Sequence, residues 1–166
     1  MDYKKFIREQ KERKRVDMTL LFNNAPAFAS LIKEMIQPFV KIKIDKVAAI
    51  DATGFVFGTA IARELKVGMA VIRKQHKIAW SVKFTTFTDY SGITKGLEIA
   101  DDAIKPGEHI LIVDDWSETG TQLRAAITLV EQAGGIVSGA SLVHIDKRAL
   151  QDTNLTKYKL HSAVEY

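Results

Sequence analysis

Two adjacent acids, Asp114 and Asp115, follow the unbroken apolar run Ile110-Leu111-Ile112-Val113 and precede Trp116-Ser117-Glu118-Thr119-Gly120-Thr121-Gln122. A short apolar run without alternation is what a strand covered on both faces of a parallel sheet requires. In open α/β sheets the carboxyl ends of such strands are where ligands bind. The turn that follows supplies backbone N–H groups at the start of a helix. With the Ser117, Thr119 and Thr121 hydroxyls beside them, they form a cradle suited to phosphate. The two carboxylates suit vicinal hydroxyls, or water on a magnesium ion. A phosphate cradle beside a diol clamp describes a site for a ribose 5-phosphate. The plainer alternative is that the acids merely end a strand and Thr119 caps a helix.

Other elements must bring that edge into position. Phe28, Leu31, Ile32, Met35, Ile36 and Phe39 fall at helical spacing, with Pro26 in the first turn and Pro38 closing the segment, which predicts a helix over 26–39. Val47-Ala48-Ala49-Ile50 reads as a buried strand. It ends at Asp51-Ala52-Thr53-Gly54, and a helix follows over about 56–65 with Phe57, Ile61 and Leu65 inward. Gly68 then introduces Met69-Ala70-Val71-Ile72, completing a βαβ unit. The turn Pro106-Gly107 leads into the 110–113 strand. A helix over 121–133 comes next, with Leu123, Ala126, Ile127 and Val130 inward and Gly134-Gly135 as its stop, and a further strand spans 137–143. Short buried strands alternating with helices predict a doubly wound, mostly parallel α/β sheet. Residues 75–96 are polar and lack a sustained period, and they read as a hairpin or a mobile flap over a site.

Composition narrows the chemistry. The 166 residues are 46% apolar and include no cysteine, which removes disulfides, thiolate metal sites and thiol nucleophiles. His76, His109, His144 and His161 stand far apart with no i, i+4 pair, so an imidazole metal site is not expected. The loops that define dinucleotide-binding, Walker A and serine hydrolase sites do not occur. Net charge is +4, and residues 1–15 account for it with seven bases against three acids, while the remainder balances at 17 each. This divides the chain into a basic N-terminal arm or helix, 1–15, and one domain, 16–166. The opening MDYKKFIREQ lacks a signal-length apolar core, and no window suits a membrane span, so a cytoplasmic protein without membrane contact is expected.

The strand, Asp114-Asp115 and Thr/Gly turn resemble the signature of the type I phosphoribosyltransferases. Asp51-Ala-Thr-Gly-Phe-Val-Phe-Gly58, Ile72-Arg-Lys74, Leu97-Glu-Ile-Ala-Asp-Asp-Ala-Ile-Lys-Pro-Gly107 and Val16-Asp-Met-Thr19 are similar, in the same order, to blocks of the adenine phosphoribosyltransferases, over about residues 15–140. The resemblance implies a doubly wound sheet with a small variable hood and a flexible flap. It implies a Mg2+-dependent exchange at C1 of 5-phosphoribosyl 1-diphosphate (PRPP), in which pyrophosphate leaves and a nucleobase nitrogen enters to give a nucleoside monophosphate.

Asp114 and Asp115 would then hold the ribose hydroxyls and, through water, the metal. Ser117, Glu118, Thr119, Gly120, Thr121 and Gln122 would grip the 5-phosphate. Ala52, Thr53, Arg73, Lys74 and Lys77 would receive pyrophosphate. Arg15, Val16, Asp89, Tyr90 and Trp116 would belong to the base pocket or flap. A homodimer is implied as well.

Three departures bear on the acceptor. Thr121 and Gln122 stand where the adenine enzymes place a glycine and a threonine, and Thr53 stands where they place an arginine. The flap Phe87-Thr-Asp-Tyr-Ser-Gly92 lacks their glutamate, with Asp89 the nearest acid. Adenine or another purine is the first expectation, and xanthine, orotate or an amine acceptor stays open. A different class of function is a weakly active or inactive sensor of PRPP or nucleotides that binds nucleic acid through its basic N-terminus.

Overall fold

Neighbouring residues of the central strands bury on opposite sides, so neither face of the sheet can be left to water. Val47, Leu111 and Val113 join one apolar cluster, whereas Ala48, Ile50, Ile110 and Ile112 join the other. The computed structural model describes residues 2–10, 15–89 and 91–165, with backbone alone at 9, 10 and 15. After a 3-10 turn over Tyr3–Phe6 come β1 (Arg8–Gln10), β2 (Arg15–Asp17), α1 (Thr19–Phe22), α2 (Ala25–Ile36), β3 (Lys46–Ile50), α3 (Gly54–Leu65) and β4 (Gly68–Lys74). The chain continues through β5 (Val82–Thr88), β6 (Thr94–Ala100), β7 (His109–Ser117), α4 (Thr121–Gln132), β8 (Ile136–Ile145), α5 (Lys147–Leu150) and β9 (Leu160–Val164).

Among the described residues the main sheet has seven strands in the order β5-β6-β4-β3-β7-β8-β9. The five strands from β4 to β9 run parallel, and β6 and β5 add antiparallel at one edge. Helices α2 and α3 cover one face through Leu31, Met35, Phe57 and Ile61. Helix α4 covers the other through Leu123, Ile127 and Val130. This is the open, doubly wound sheet that the sequence pattern requires.

Boundaries shift for identifiable reasons. Helix α2 begins at Ala25 because the Asn24 side chain accepts from the Ala27 N–H at 2.9 Å, and it gives way after Ile36 to a 3-10 turn over Gln37–Phe39 that contains Pro38. Strand β7 runs on through both acids to Ser117 because β8 pairs with it as far as Ile145. Of the two readings for residues 75–96, the hairpin is present: β5 and β6 pair from Val82 opposite Ala100 to Thr88 opposite Thr94. The N-terminal residues lie against the α2 side, where Tyr3 and Ile7 are buried and the Tyr3 hydroxyl donates to the Ala163 carbonyl at 2.8 Å.

Candidate active site

Strand β7 delivers Asp114 into the interior and leaves Asp115 half-buried. Asp114 is 3% exposed. Its Oδ1 accepts from the Asp115 N–H at 2.9 Å and its Oδ2 from the Gln122 Nε2 at 3.0 Å. Burial, then the neighbouring Asp115 carboxylate, pushes the Asp114 carboxyl well above its ordinary value, against the two N–H donors. Asp115 Oδ1 accepts from the Trp116 N–H at 2.8 Å. Gly54, at the start of α3, faces this pair: a Cβ there would lie 2.9 Å from Asp114 Oδ1 and 3.1 Å from the Val113 carbonyl. The first turn of α3 can therefore touch the acidic strand only as glycine.

Past the acids the chain bends into α4. Gly120 sits at φ 80°, and a Cβ on it would approach Leu155 Cδ1 to 2.6 Å, so its conformation and its surroundings both require glycine. No side chain caps α4, which leaves the amides of its first turn to meet an anion. The Thr119 and Thr121 hydroxyls lie 3.0 Å apart beside them. The bend is braced from behind. The Asp146 N–H donates to the Ser117 carbonyl at 2.9 Å, and Arg148 Nη2 donates to Glu118 Oε1 at 2.6 Å.

Together these elements bound a cleft of about 280 Å³. Asp114, Asp115 and Gln122 line its floor, Ala52 and Thr53 enter from the loop after β3, and Lys74 lies beside Phe87, Lys95 and Leu97 of the hairpin, β4 being paired with β6 there. The Asp51–Ala52 peptide, at the end of β3, is cis.

Of the residues singled out in the sequence, Asp114, Asp115, Ala52, Thr53, Lys74 and Gln122 converge on the cleft, and Ser117 to Thr121 form the adjoining bend. Gln122 sits in the bend expected to grip phosphate but spends its amide on Asp114. Glu118 faces Arg148. Arg73 does not line the cleft: its Nε donates to Asp51 Oδ2 at 3.1 Å, and its guanidinium stands 5.8 Å over the Phe55 ring. Lys77 is exposed on the β4–β5 connection, where its N–H donates to the buried Glu98 at 2.7 Å. Asp89 closes the hairpin turn, its Oδ1 accepting from the Ser91 and Ile93 amides at 2.9 and 3.1 Å.

The Trp116 ring packs 4.1 Å from that of His144, centroid to centroid. Val16 pairs with Glu9 in the small β1–β2 hairpin and packs on the α2 side. Tyr90 and the Arg15 side chain lie outside the described residues.

Sequence reasoning missed Asp51, which fixes Arg73, and Lys95, which faces the acids across the cleft. It also missed the role of Glu98, whose Oε1 and Oε2 accept the His76, Lys77 and Ile78 amides at 2.7–2.9 Å. Burial opposes the Glu98 charge, but the three amides outweigh it and hold the carboxyl below its ordinary value. An acid in the midst of Leu97 and Ile99 was the available signal.

A parallel strand ending in paired acids, an uncapped helix start and a cleft between them describe a pocket for a phosphorylated sugar. The profile of the phosphoribosyl transferase domain matches residues 21–160. The chain belongs to the phosphoribosyltransferase family. An adenine phosphoribosyltransferase of Dinoroseobacter shibae is 40% identical over 128 residues, covering 76% of this chain and 70% of its own. The solved adenine phosphoribosyltransferase of Thermoanaerobacter pseudethanolicus superposes with a TM-score of 0.92 at 30% identity, over 99% of this chain and 98% of that one. That of Saccharomyces cerevisiae, complexed with adenine and an imino-altritol bisphosphate, superposes with a TM-score of 0.89 at 25% identity, over 98% and 97%.

The resemblance seen in the Asp-Asp turn and the ordered blocks is thereby borne out, and so is the fold class.

Proposed function

We propose that this phosphoribosyltransferase transfers the 5-phosphoribosyl group of PRPP to adenine, releasing pyrophosphate and forming the nucleoside monophosphate. The observation that carries the reading is the convergence of Asp114 and Asp115 with the uncapped start of α4 on one cleft. The bond from C1 to the diphosphate oxygen breaks and a bond from C1 to a base nitrogen forms. The ribosyl centre turns cationic and the leaving group gathers charge. Preorganised charges stabilise both without a covalent intermediate.

In this reading Asp114 and Asp115 accept from the ribose 2- and 3-hydroxyls and stand as anions beside C1. The bend from Ser117 to Gln122 receives the 5-phosphate on its amides and hydroxyls, kept in shape by Arg148 on Glu118. The Ala52 and Thr53 backbone and Lys74 receive the diphosphate, with Lys77 at the rim and Arg73 acting from behind by holding Asp51. Arg15, Val16, Asp89, Tyr90 and Trp116 are left as the base-side group. Trp116, packed on His144, is the aromatic of that group.

Among the described residues no three acids or histidines gather as a metal cage, whereas two adjacent carboxylates suit a Mg2+ ion that keeps its waters and substrate oxygens. Asp114 and Asp115 would hold it through water, and it would supply charge neutralisation at the diphosphate. The same reading takes the enzyme as a cytoplasmic homodimer, with residues 16–166 catalytic and residues 1–15 a basic N-terminal segment whose Tyr3 and Ile7 pack on the α2 side. Among the described residues no helix is long and apolar enough to cross a membrane.

The test is pyrophosphate release from PRPP with Mg2+ and, in turn, adenine, hypoxanthine, guanine, xanthine and orotate. Adenine should give the highest kcat/KM. A protein that binds PRPP yet releases pyrophosphate with none of them overturns the reading and favours a sensor.

A further inference from the structure

The substrate assigned above is a polyanion, yet the floor of the cleft is acidic, with Asp114 and Asp115 side by side. Cations must therefore come from its walls. Among the described residues the cleft-lining cations are Lys74, at the end of β4, and Lys95, on β6. Arg73 is turned to Asp51, and position 53, in the loop between β3 and α3, is an uncharged threonine.

Strand alternation fixes where Lys95 points. Leu97 and Ile99, two and four residues on, lie in the core under α4, so Lys95 continues the same face beyond the edge of that core. Its cross-strand partner Phe87 lines the cleft with it. The Lys95 ammonium is held by Asp89 Oδ2, while Asp89 Oδ1 is engaged by Ser91 and the Ile93 amide in the hairpin turn. The two oxygens thus have separate duties: one shapes the turn, the other holds the cation at the lip of the cleft.

We propose that Lys95 is a phosphoryl-binding residue of this cleft, kept at its lip by Asp89 and handed to an anionic phosphoryl group of the substrate when that group enters. The proposal rests on the phosphoribosyltransferase reading and extends it to a residue of the β5–β6 hairpin. No bond is made or broken in the hand-over. The ammonium exchanges one oxyanion partner for another, and Asp89 is left to the Ser91 and Ile93 donors and to solvent. A phosphoryl oxygen carrying more charge than a carboxylate, beside an acidic floor, is the stronger partner.

Calorimetric titration with Mg2+ of PRPP, pyrophosphate and ribose 5-phosphate into wild type, Lys95→Met, Lys95→Arg and Asp89→Asn tests it. Losing one charge-assisted bond, Lys95→Met should bind PRPP about tenfold to a hundredfold more weakly, and Lys95→Arg should recover most of that. Whichever of pyrophosphate and ribose 5-phosphate weakens in parallel identifies the phosphoryl group touched. Asp89→Asn keeps the Oδ1 acceptor of the turn and removes the competing charge, so it should tighten PRPP by about twofold to fivefold at low salt.

Lys95→Met that binds all three anions as wild type does overturns the proposal and leaves the transferase reading intact. Wild type that binds none of them overturns both. Should Lys95→Met melt far below wild type, the Asp89→Asn arm decides, and unchanged or weaker binding there overturns the hand-over.

Discussion

Asp114 carries opposing demands that a single substitution separates. Its carboxyl is buried beside another acid, which favours the neutral form, while its proposed work needs an anion. Asn at 114 keeps an oxygen for the Asp115 amide and presents an amide nitrogen that Gln122 meets by turning its own oxygen inward. Asp114→Asn should therefore raise the melting temperature at neutral pH, by about 2–4 °C for each kcal/mol relieved. It should also weaken PRPP about tenfold to a hundredfold through the lost charge-assisted grip. Thermal melts and calorimetry on one preparation read both. A variant that melts lower and binds normally contradicts the assignment. The acids themselves were legible, because a strand buried on both faces must be apolar until it reaches the edge where function starts. Gly54 was visible only as part of a motif. Its reason, the approach to Asp114 Oδ1, exists only once β3 and β7 lie side by side.

At the scale of elements, β4, β5 and β6 form the wall that faces the acids, and Glu98 ties their connection together. One buried carboxylate takes three successive amides from residues 76–78, an anion nest built by the chain for itself. Glu98→Gln keeps the shape and loses the charge. The amides of His76, Lys77 and Ile78 should then exchange hydrogen at least about tenfold faster, a change of about 1.4 kcal/mol in local opening, within the range for bonds to a charged group. Exchange unchanged at those three positions would show that the connection is held by something else. The parallel strands and their helices were readable from periodicity, since each buries a fixed face. The hairpin remained one of two alternatives because the apolar residues of β5, Val82, Phe84 and Phe87, do not keep a period of two, and at the sheet edge Phe84 is left exposed. Lys95 escaped because its face is set by pairing with Phe87, a partner eight residues away.

For the molecule as a whole, both ends of the chain meet on the α2 side of the sheet. Tyr3 bonds the Ala163 carbonyl, and two residues earlier on β9 the His161 ring lies edge-on to Phe39, 6.5 Å between centroids. The His161 Nε2 is buried with no hydrogen-bond partner, so a proton there would sit in apolar surroundings. Burial lowers the His161 pKa below its ordinary value, the Lys159 charge adds to this, and Glu34 opposes it. Because the folded value lies below the unfolded one, the unfolded chain takes up the proton first as pH falls. Stability is thus complete above the unfolded value of about 6.5 and declines as pH drops from there through the folded value. His161→Phe removes that titration and fills the site beside Phe39. The melting temperature of wild type should fall between pH 8 and pH 5 by more than that of His161→Phe, with the two curves diverging below about pH 6.5. Parallel curves across that window would mean that β9 docks without regard to the charge of His161.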